Sequence, residues 1–150
     1  MHDDPELETL TRFIDSNGNT SVSTWEKLIQ VTDGVMLDLK VLDNDKHIAL
    51  TGDTNKLVLE SIEFLARNHS LHEVRLLLIP GINDSDEELE KTAKWLMAID
   101  PEMQVRINAF KTHGVRASAK HWQEVTDLDL RRYLRLLTKH GIKNLVTTKS

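Results

Sequence analysis

A chain of 150 residues is long enough for one domain with its own core, and nothing in its composition calls for two. A formal net charge of -5 with scattered basic residues argues against nucleic acid as the main partner. No apolar run approaches the roughly 20 residues that span a bilayer and the acidic start lacks signal-peptide features, so a cytoplasmic protein with no membrane partner is expected. The sequence contains no cysteine, which excludes disulfides, a thiolate nucleophile and any zinc or iron–sulfur site built from its own thiolates.

Residues 1–8 are acidic, with Pro5 opening a turn. Residues 10–14 read as a strand that ends in the turn cluster Asp15-Ser16-Asn17-Gly18-Asn19. Ser23 with Glu26 predicts a capping box for a short helix whose apolar face is Trp25, Leu28 and Ile29. After Asp33-Gly34 comes the central stretch Val35-Met36-Leu37-Asp38-Leu39-Lys40. Strand side chains alternate, so Val35, Leu37 and Leu39 face covering helices while Met36, Asp38 and Lys40 face the middle of a barrel. A carboxylate and an ammonium there are costly unless paired, hydrated or bound to something polar, which places a ligand site at this strand's C-terminal end. Asp38 and Lys40 stand about 7 Å apart, room for one amino-acid-sized head group. A solvated strand-end ion pair is the plainer alternative.

Residues 44–50 predict one or two helical turns closed by Gly52, and Thr54 predicts the cap of a helix over 55–69 with Leu57, Val58, Ile62, Leu65 and Ala66 on its buried face. A strand over 74–79 puts Val74, Leu76 and Leu78 outside and Arg75, Leu77 and Ile79 inside. Pro80-Gly81 stops it, and Ser85 with Glu88 predicts a second capping box for a helix to Ile99. A strand over 104–110 repeats the arrangement, with Arg106, Asn108 and Phe110 inward, and the loop 111–120 is long enough to cover a ligand mouth. Thr126 or Asp127 caps a last helix with Leu130, Leu134 and Leu137 inward, Gly141 ends it, and residues 144–148 suit a short final strand. Strand–helix alternation implies a parallel sheet. Inward arginines suit a wide barrel better than a sheet covered on both faces, so the fold expected is an α/β partial barrel forming a single domain over residues 1–150.

Four pieces, FIDSNG (13–18), DGVMLDLK (33–40), VRLLLIPG (74–81) and INAFKTHG (107–114), resemble in order and spacing the C-terminal half of the glycyl-radical enzyme activating enzymes, the pyruvate formate-lyase activating enzyme family of radical S-adenosylmethionine (SAM) proteins. INAFKTHG is most similar to the YjjW subgroup. The resemblance implies the last four units of a six-unit radical SAM (β/α) barrel. It also implies reductive cleavage of SAM to abstract hydrogen from a glycine of a glycyl-radical enzyme, with a flavodoxin- or ferredoxin-type electron donor. The family's CxxxCxxC motif for a 4Fe-4S cluster is absent from this sequence. The expectation is therefore a truncated and, alone, inactive chain, with an exposed barrel edge that favours self-association. Carried over by position, Asp15, Ser16, Met36 and Asp38 resemble a monovalent-cation site against the SAM carboxylate, Lys40 a contact to the methionine moiety, and Arg75 a lining residue of the cavity. The family's histidine after its last-strand aromatic is replaced by Lys111, with His113 two residues on.

Two other functions fit the residues. Lys40 at a barrel strand end suits a Schiff-base, aldolase-like enzyme, although the neighbouring Asp38 opposes the loss of its proton. A half-barrel that binds a glycyl-radical enzyme without doing chemistry is the other. His47, His69, His72 and His140 read as surface or cap residues, the tryptophans as helix packing, and the run 84–90 as a solvated first helical turn.

Overall fold

The computed structural model describes residues 13–109 and 123–148. Its five strands are β1 (Phe13–Ser16), β2 (Gly34–Leu39), β3 (Leu71–Leu78), β4 (Gln104–Ala109) and β5 (Asn144–Thr148). They form one sheet in the order β1-β2-β3-β4-β5, every neighbouring pair parallel. The helices α1 (Val22–Leu28), α2 (Asn44–Thr51), α3 (Lys56–Arg67), α4 (Asp86–Ile99) and α5 (Asp127–Lys139) fill the connections. A parallel sheet whose strand order never reverses keeps its right-handed crossovers on one face, as a barrel does, whereas a doubly wound sheet reverses. The short final strand expected at residues 144–148 is present as β5 and pairs in parallel with β4.

Burial follows the same division. Val35, Leu37 and Leu39 of β2, Val74, Leu76 and Leu78 of β3, and Val105 and Ile107 of β4 are buried and pack with Val58, Ile62 and Leu65 of α3, Leu89, Ala93 and Leu96 of α4, and Tyr133 and Leu137 of α5. The opposite face, with Met36, Asp38, Arg75, Leu77, Arg106 and Asn108, is half-buried. The fold is thus a partial β/α barrel, with apolar side chains beneath the helices and a polar interior. No helix among the described residues is long and apolar enough to cross a membrane.

Local chemistry sets most boundaries, with some departures from expectation. Ser21, not Ser23, caps α1, its side chain accepting from the Thr24 N–H. Trp25, expected on the apolar face, is buried and donates its indole N–H to Ser61 Oγ at 2.7 Å. Gly52, at φ 86°, closes α2 as expected. Asn55 rather than Thr54 precedes α3, and its side chain reaches back to donate to the Leu42 carbonyl at 2.6 Å. Ser85 accepts from the Glu88 N–H, but the Glu88 carboxylate turns to Lys46 rather than completing the box; the full capping box is that of Thr126 with Asp129 on α5. β1 runs through Asp15 and Ser16 instead of ending before them, and β3 starts at Leu71, three residues earlier than predicted. That early start carries Glu73 into the sheet.

The run 84–90 is not uniformly solvated. Asp84 is 7% exposed, accepting from Tyr133 Oη at 2.6 Å, Arg132 Nη2 at 2.9 Å and the Gly81 N–H at 2.9 Å. Burial, then the bond to Asp84, pushes the Tyr133 phenol upward, so it stays a donor. This cluster ties the loop after β3 to α5.

Candidate functional site

Strand register stacks the inward side chains in rows. Asp15 lies level with Met36 and Met36 with Glu73, and one step toward the strands' C-terminal ends Asp38 lies level with Arg75 and Arg75 with Arg106. Parallel neighbours about 4.8 Å apart bring each row into side-chain reach.

Glu73 is the anchor of this face, and the sequence reading passes over it. At 1% exposed, its carboxylate accepts from Arg75 Nε at 3.0 Å, Arg106 Nε at 2.9 Å and Gln104 Nε2 at 2.6 Å. Burial alone drives its proton affinity up, but the hydrogen bonds from Arg106, Arg75 and Gln104 outweigh it and hold the carboxyl below its ordinary range. The available signal was its place two residues before Arg75, on the same strand face.

Arg75 spans the site. Besides Glu73, it reaches Asp15 Oδ1 with Nη1 at 3.1 Å and donates from Nη2 to Met36 Sδ at 3.1 Å. Asp38 feels the same charges. Burial raises its carboxyl above the usual range, Lys40 and Arg75 oppose the rise, and Asp15 adds to it. Ser16 Oγ accepts from the Gly18 N–H at 2.9 Å, closing the turn after β1. Two donor groups of the implied cation set, Asp15 and Met36, are therefore already engaged by Arg75. Among the described residues no group of three or more His, Cys, Asp or Glu is placed to hold a metal ion, and an iron–sulfur cluster finds no thiolate anywhere in the sequence.

Lys40 follows the last residue of β2 and lines a cleft with Asp38, Asn17, Asn19, His47 and Asp53. Its backbone is pinned by Asn83, whose Nδ2 donates to the carbonyls of Lys40 and Leu77, both at 2.8 Å, while its Oδ1 accepts from the Ile79 N–H at 2.8 Å. The ends of β2 and β3 are thereby fixed relative to each other. His47, expected at the surface, is 5% exposed, with Nδ1 2.7 Å from the Asp53 carbonyl oxygen, which makes Nδ1 the protonated nitrogen. His69 and His72 are exposed, the latter with its ring 4.6 Å from that of Phe13, and His140 is the C-cap residue of α5. Lys111, His113 and the loop 111–120 lie outside the described residues. The structure thus brings Asp15, Met36, Asp38, Lys40 and Arg75 to one end of β1–β3. Asp38 and Lys40 thus present a carboxylate and an ammonium to the same cleft.

No family model matches the chain. It is 27% identical over 160 residues to a pyruvate formate-lyase-activating enzyme of Staphylococcus epidermidis, which covers 91% of this chain and 64% of that protein. It is 33% identical over 90 residues to the Streptococcus mutans protein of the same name, 60% of this chain and 34% of that one. A trans-4-hydroxy-L-proline dehydratase activating enzyme of Clostridioides difficile is 35% identical over 77 residues, 51% of this chain and 26% of that protein. The chain thus spans less than two thirds of each of these relatives. In fold, it is similar to a domain of pyruvate-formate lyase-activating enzyme from Bacteroides vulgatus, with TM-score 0.80 at 18% identity, covering 96% of this chain and 84% of that one. A radical SAM methyltransferase from Sphaerobacter thermophilus superposes with TM-score 0.75 at 14% identity, covering 98% of this chain and 43% of that one. The ordered sequence pieces, the parallel sheet and these similarities agree: the chain is a relative of the glycyl-radical enzyme activating enzymes, corresponding to part of their length.

Proposed function

We propose that this chain supplies the methionine-side half of a SAM site in a radical SAM activating enzyme that acts on a glycyl-radical enzyme. Lys40 neutralises the SAM carboxylate as a point charge, Asp38 faces its ammonium group, Arg75 lines the cavity floor, and His113 is the proposed fourth-strand contact. SAM, reduced at a 4Fe-4S cluster by a flavodoxin- or ferredoxin-type donor, supplies the radical chemistry of the whole enzyme. The residues here contribute binding, orientation and exclusion of water. With no cysteine of its own, the chain alone is inactive in this reading. The observation that carries the proposal is the meeting of Asp38 and Lys40 in one cleft at the strand ends.

The absence of cysteine also favours a second reading, a half-barrel that binds a glycyl-radical enzyme without chemistry. Titration of the chain with SAM, followed by NMR, separates the two. A saturable shift that weakens roughly 5- to 150-fold in Lys40→Ala, the equivalent of about 1 to 3 kcal/mol for a charged hydrogen bond, is the expected result. An affinity unchanged in Lys40→Ala removes that residue from the site. No saturable shift at millimolar SAM leaves the partner-binding reading in its place.

A further inference from the structure

We propose that the outward face of α5 is a docking surface for an acidic helix of a partner protein. The inference is independent of the SAM reading, since none of the residues lining the strand-end cleft belongs to α5.

Charge is spread unevenly along this chain. All 24 acidic residues precede position 130, while Lys or Arg stands at 131, 132, 135, 139, 143 and 149. Two of these cations are used by the fold, Arg132 meeting Asp84 at 2.9 Å and Lys143 meeting Glu102 at 3.3 Å. Arg131, Arg135 and Lys139 are exposed, and among the described residues none of them has an ion-pair partner. Glu90 senses the charge of Lys139 but is bound by Lys94 at 2.8 Å. The outward cations of the neighbouring helices are treated differently. Lys91 pairs with Glu87 and Lys94 with Glu90 on α4, and Arg67 with Glu63 on α3, each one helical turn apart.

Helical spacing sets the three cations in line. Arg131, Arg135 and Lys139 stand about 6 Å apart along the axis, and with Leu128 they fall within about 80° of the helix circumference, opposite buried Tyr133 and Leu137. Like charges four residues apart repel, so the row burdens the free helix and an anionic partner relieves it. A helix with carboxylates at every fourth residue repeats the same spacing of about 6 Å. Leu128, at the head of the row, is 76% exposed and offers an apolar contact that another protein can cover. A nucleic acid or an anionic membrane fits less well, because its charge extends past the row and over α4. That helix lies alongside through the Arg132–Asp86 and His140–Glu90 contacts and holds the exposed carboxylates of Asp86 and Glu87. The net charge of -5 adds to the repulsion of such extended polyanions.

The probe is a synthetic helical peptide with a glutamate at every fourth residue. It is set against a peptide of the same composition whose glutamates are spread around the helix, a DNA duplex and phosphatidylglycerol vesicles. In NMR titrations of the isotope-labelled chain, the first peptide should give saturable shifts confined to residues 127–139. Binding should weaken about tenfold in Arg135→Glu, and likewise on raising the salt from roughly 50 to 500 mM. Because the substitution turns two like-charge contacts into opposite ones, Arg135→Glu should also melt roughly 2 °C above the wild type at low salt, a gain lost at high salt. No saturable shift at millimolar peptide, equal affinity for the spread peptide, or tighter binding of DNA or vesicles at these residues overturns the proposal. So does a titration insensitive to salt or to Arg135→Glu, or a variant that melts no higher at low salt. Should Arg135→Glu not fold, the salt dependence of the wild-type titration decides.

Discussion

Two carboxylates on the same sheet face respond to acid in opposite directions. Glu73 holds its carboxyl below the ordinary range, so the stability it contributes is present above that range and is lost as pH falls through its folded value. Asp38 is the reverse. Its carboxyl, raised chiefly by burial, binds a proton more tightly in the folded chain than in the unfolded one, so the contribution of this group to stability falls as pH rises from the ordinary range through the raised value. Above that window an ionised Asp38 is a standing cost to the ligand-free fold. Asn has the same shape without the charge. Asp38→Asn should therefore raise the melting temperature near neutral pH, with the gain shrinking toward about pH 4, where the wild-type carboxyl approaches its protonated form. A variant that melts lower than the wild type at neutral pH contradicts this assignment. The same substitution should weaken SAM binding, since the charge that burdens the empty fold is the one proposed to meet the ligand's ammonium group.

At the scale of elements, Asn83 shows how much of the site depends on a loop. Its amide makes three bonds of 2.8 Å, to the carbonyls of Lys40 and Leu77 and to the Ile79 N–H, and it is itself buried. Asn83→Ala leaves these backbone groups unpaired, at a cost of about 2 to 4 kcal/mol, and frees the backbone of Lys40. A lower urea midpoint at unchanged slope is the expected measurement. A midpoint unchanged from wild type removes Asn83 from its proposed role as the clamp. The strands themselves were legible because apolar and mixed residues alternate along β2, β3 and β4 with one period, and that pattern alone separates the helix-covered face from the polar one. What could not be read has specific causes. Leu71-His72-Glu73 lacks apolar alternation, so the start of β3 looked like loop and its buried carboxylate was missed. His47 sits on α2, a helix without an apolar stripe, and is buried through a backbone carbonyl that no pattern reveals. Asp84 heads a run of acids whose other members do behave as a helix start. Its burial is decided by Tyr133, 49 residues away.

For the whole molecule, the sheet is a row of parallel strands with α3, α4 and α5 packed on its apolar face, and among the described residues β1 has β2 as its one strand neighbour. The inner face is not simply adhesive. Its charges are largely matched within the rows, Arg75 with Glu73 and Asp15, and Arg106 with Glu73, so the polar interior gives little reason for two copies to pack face to face. The backbone edge of β1 away from β2 is a different matter, since no strand among the described residues pairs with it and an unpaired strand edge is a template for another strand. Phe13 at its start is 42% exposed and rests against His72, adding apolar surface beside that edge. We therefore expect the chain to self-associate through β1, with an apparent mass in light scattering that grows with concentration. A charge beside an edge strand opposes such pairing, because docking would bury it. Phe13→Lys should shift the population toward the monomer while leaving the melting temperature within a few degrees of wild type, as expected for an exposed position. A wild type that stays monomeric across the accessible concentration range, or a Phe13→Lys variant that associates as strongly, would place the contact elsewhere than at this edge.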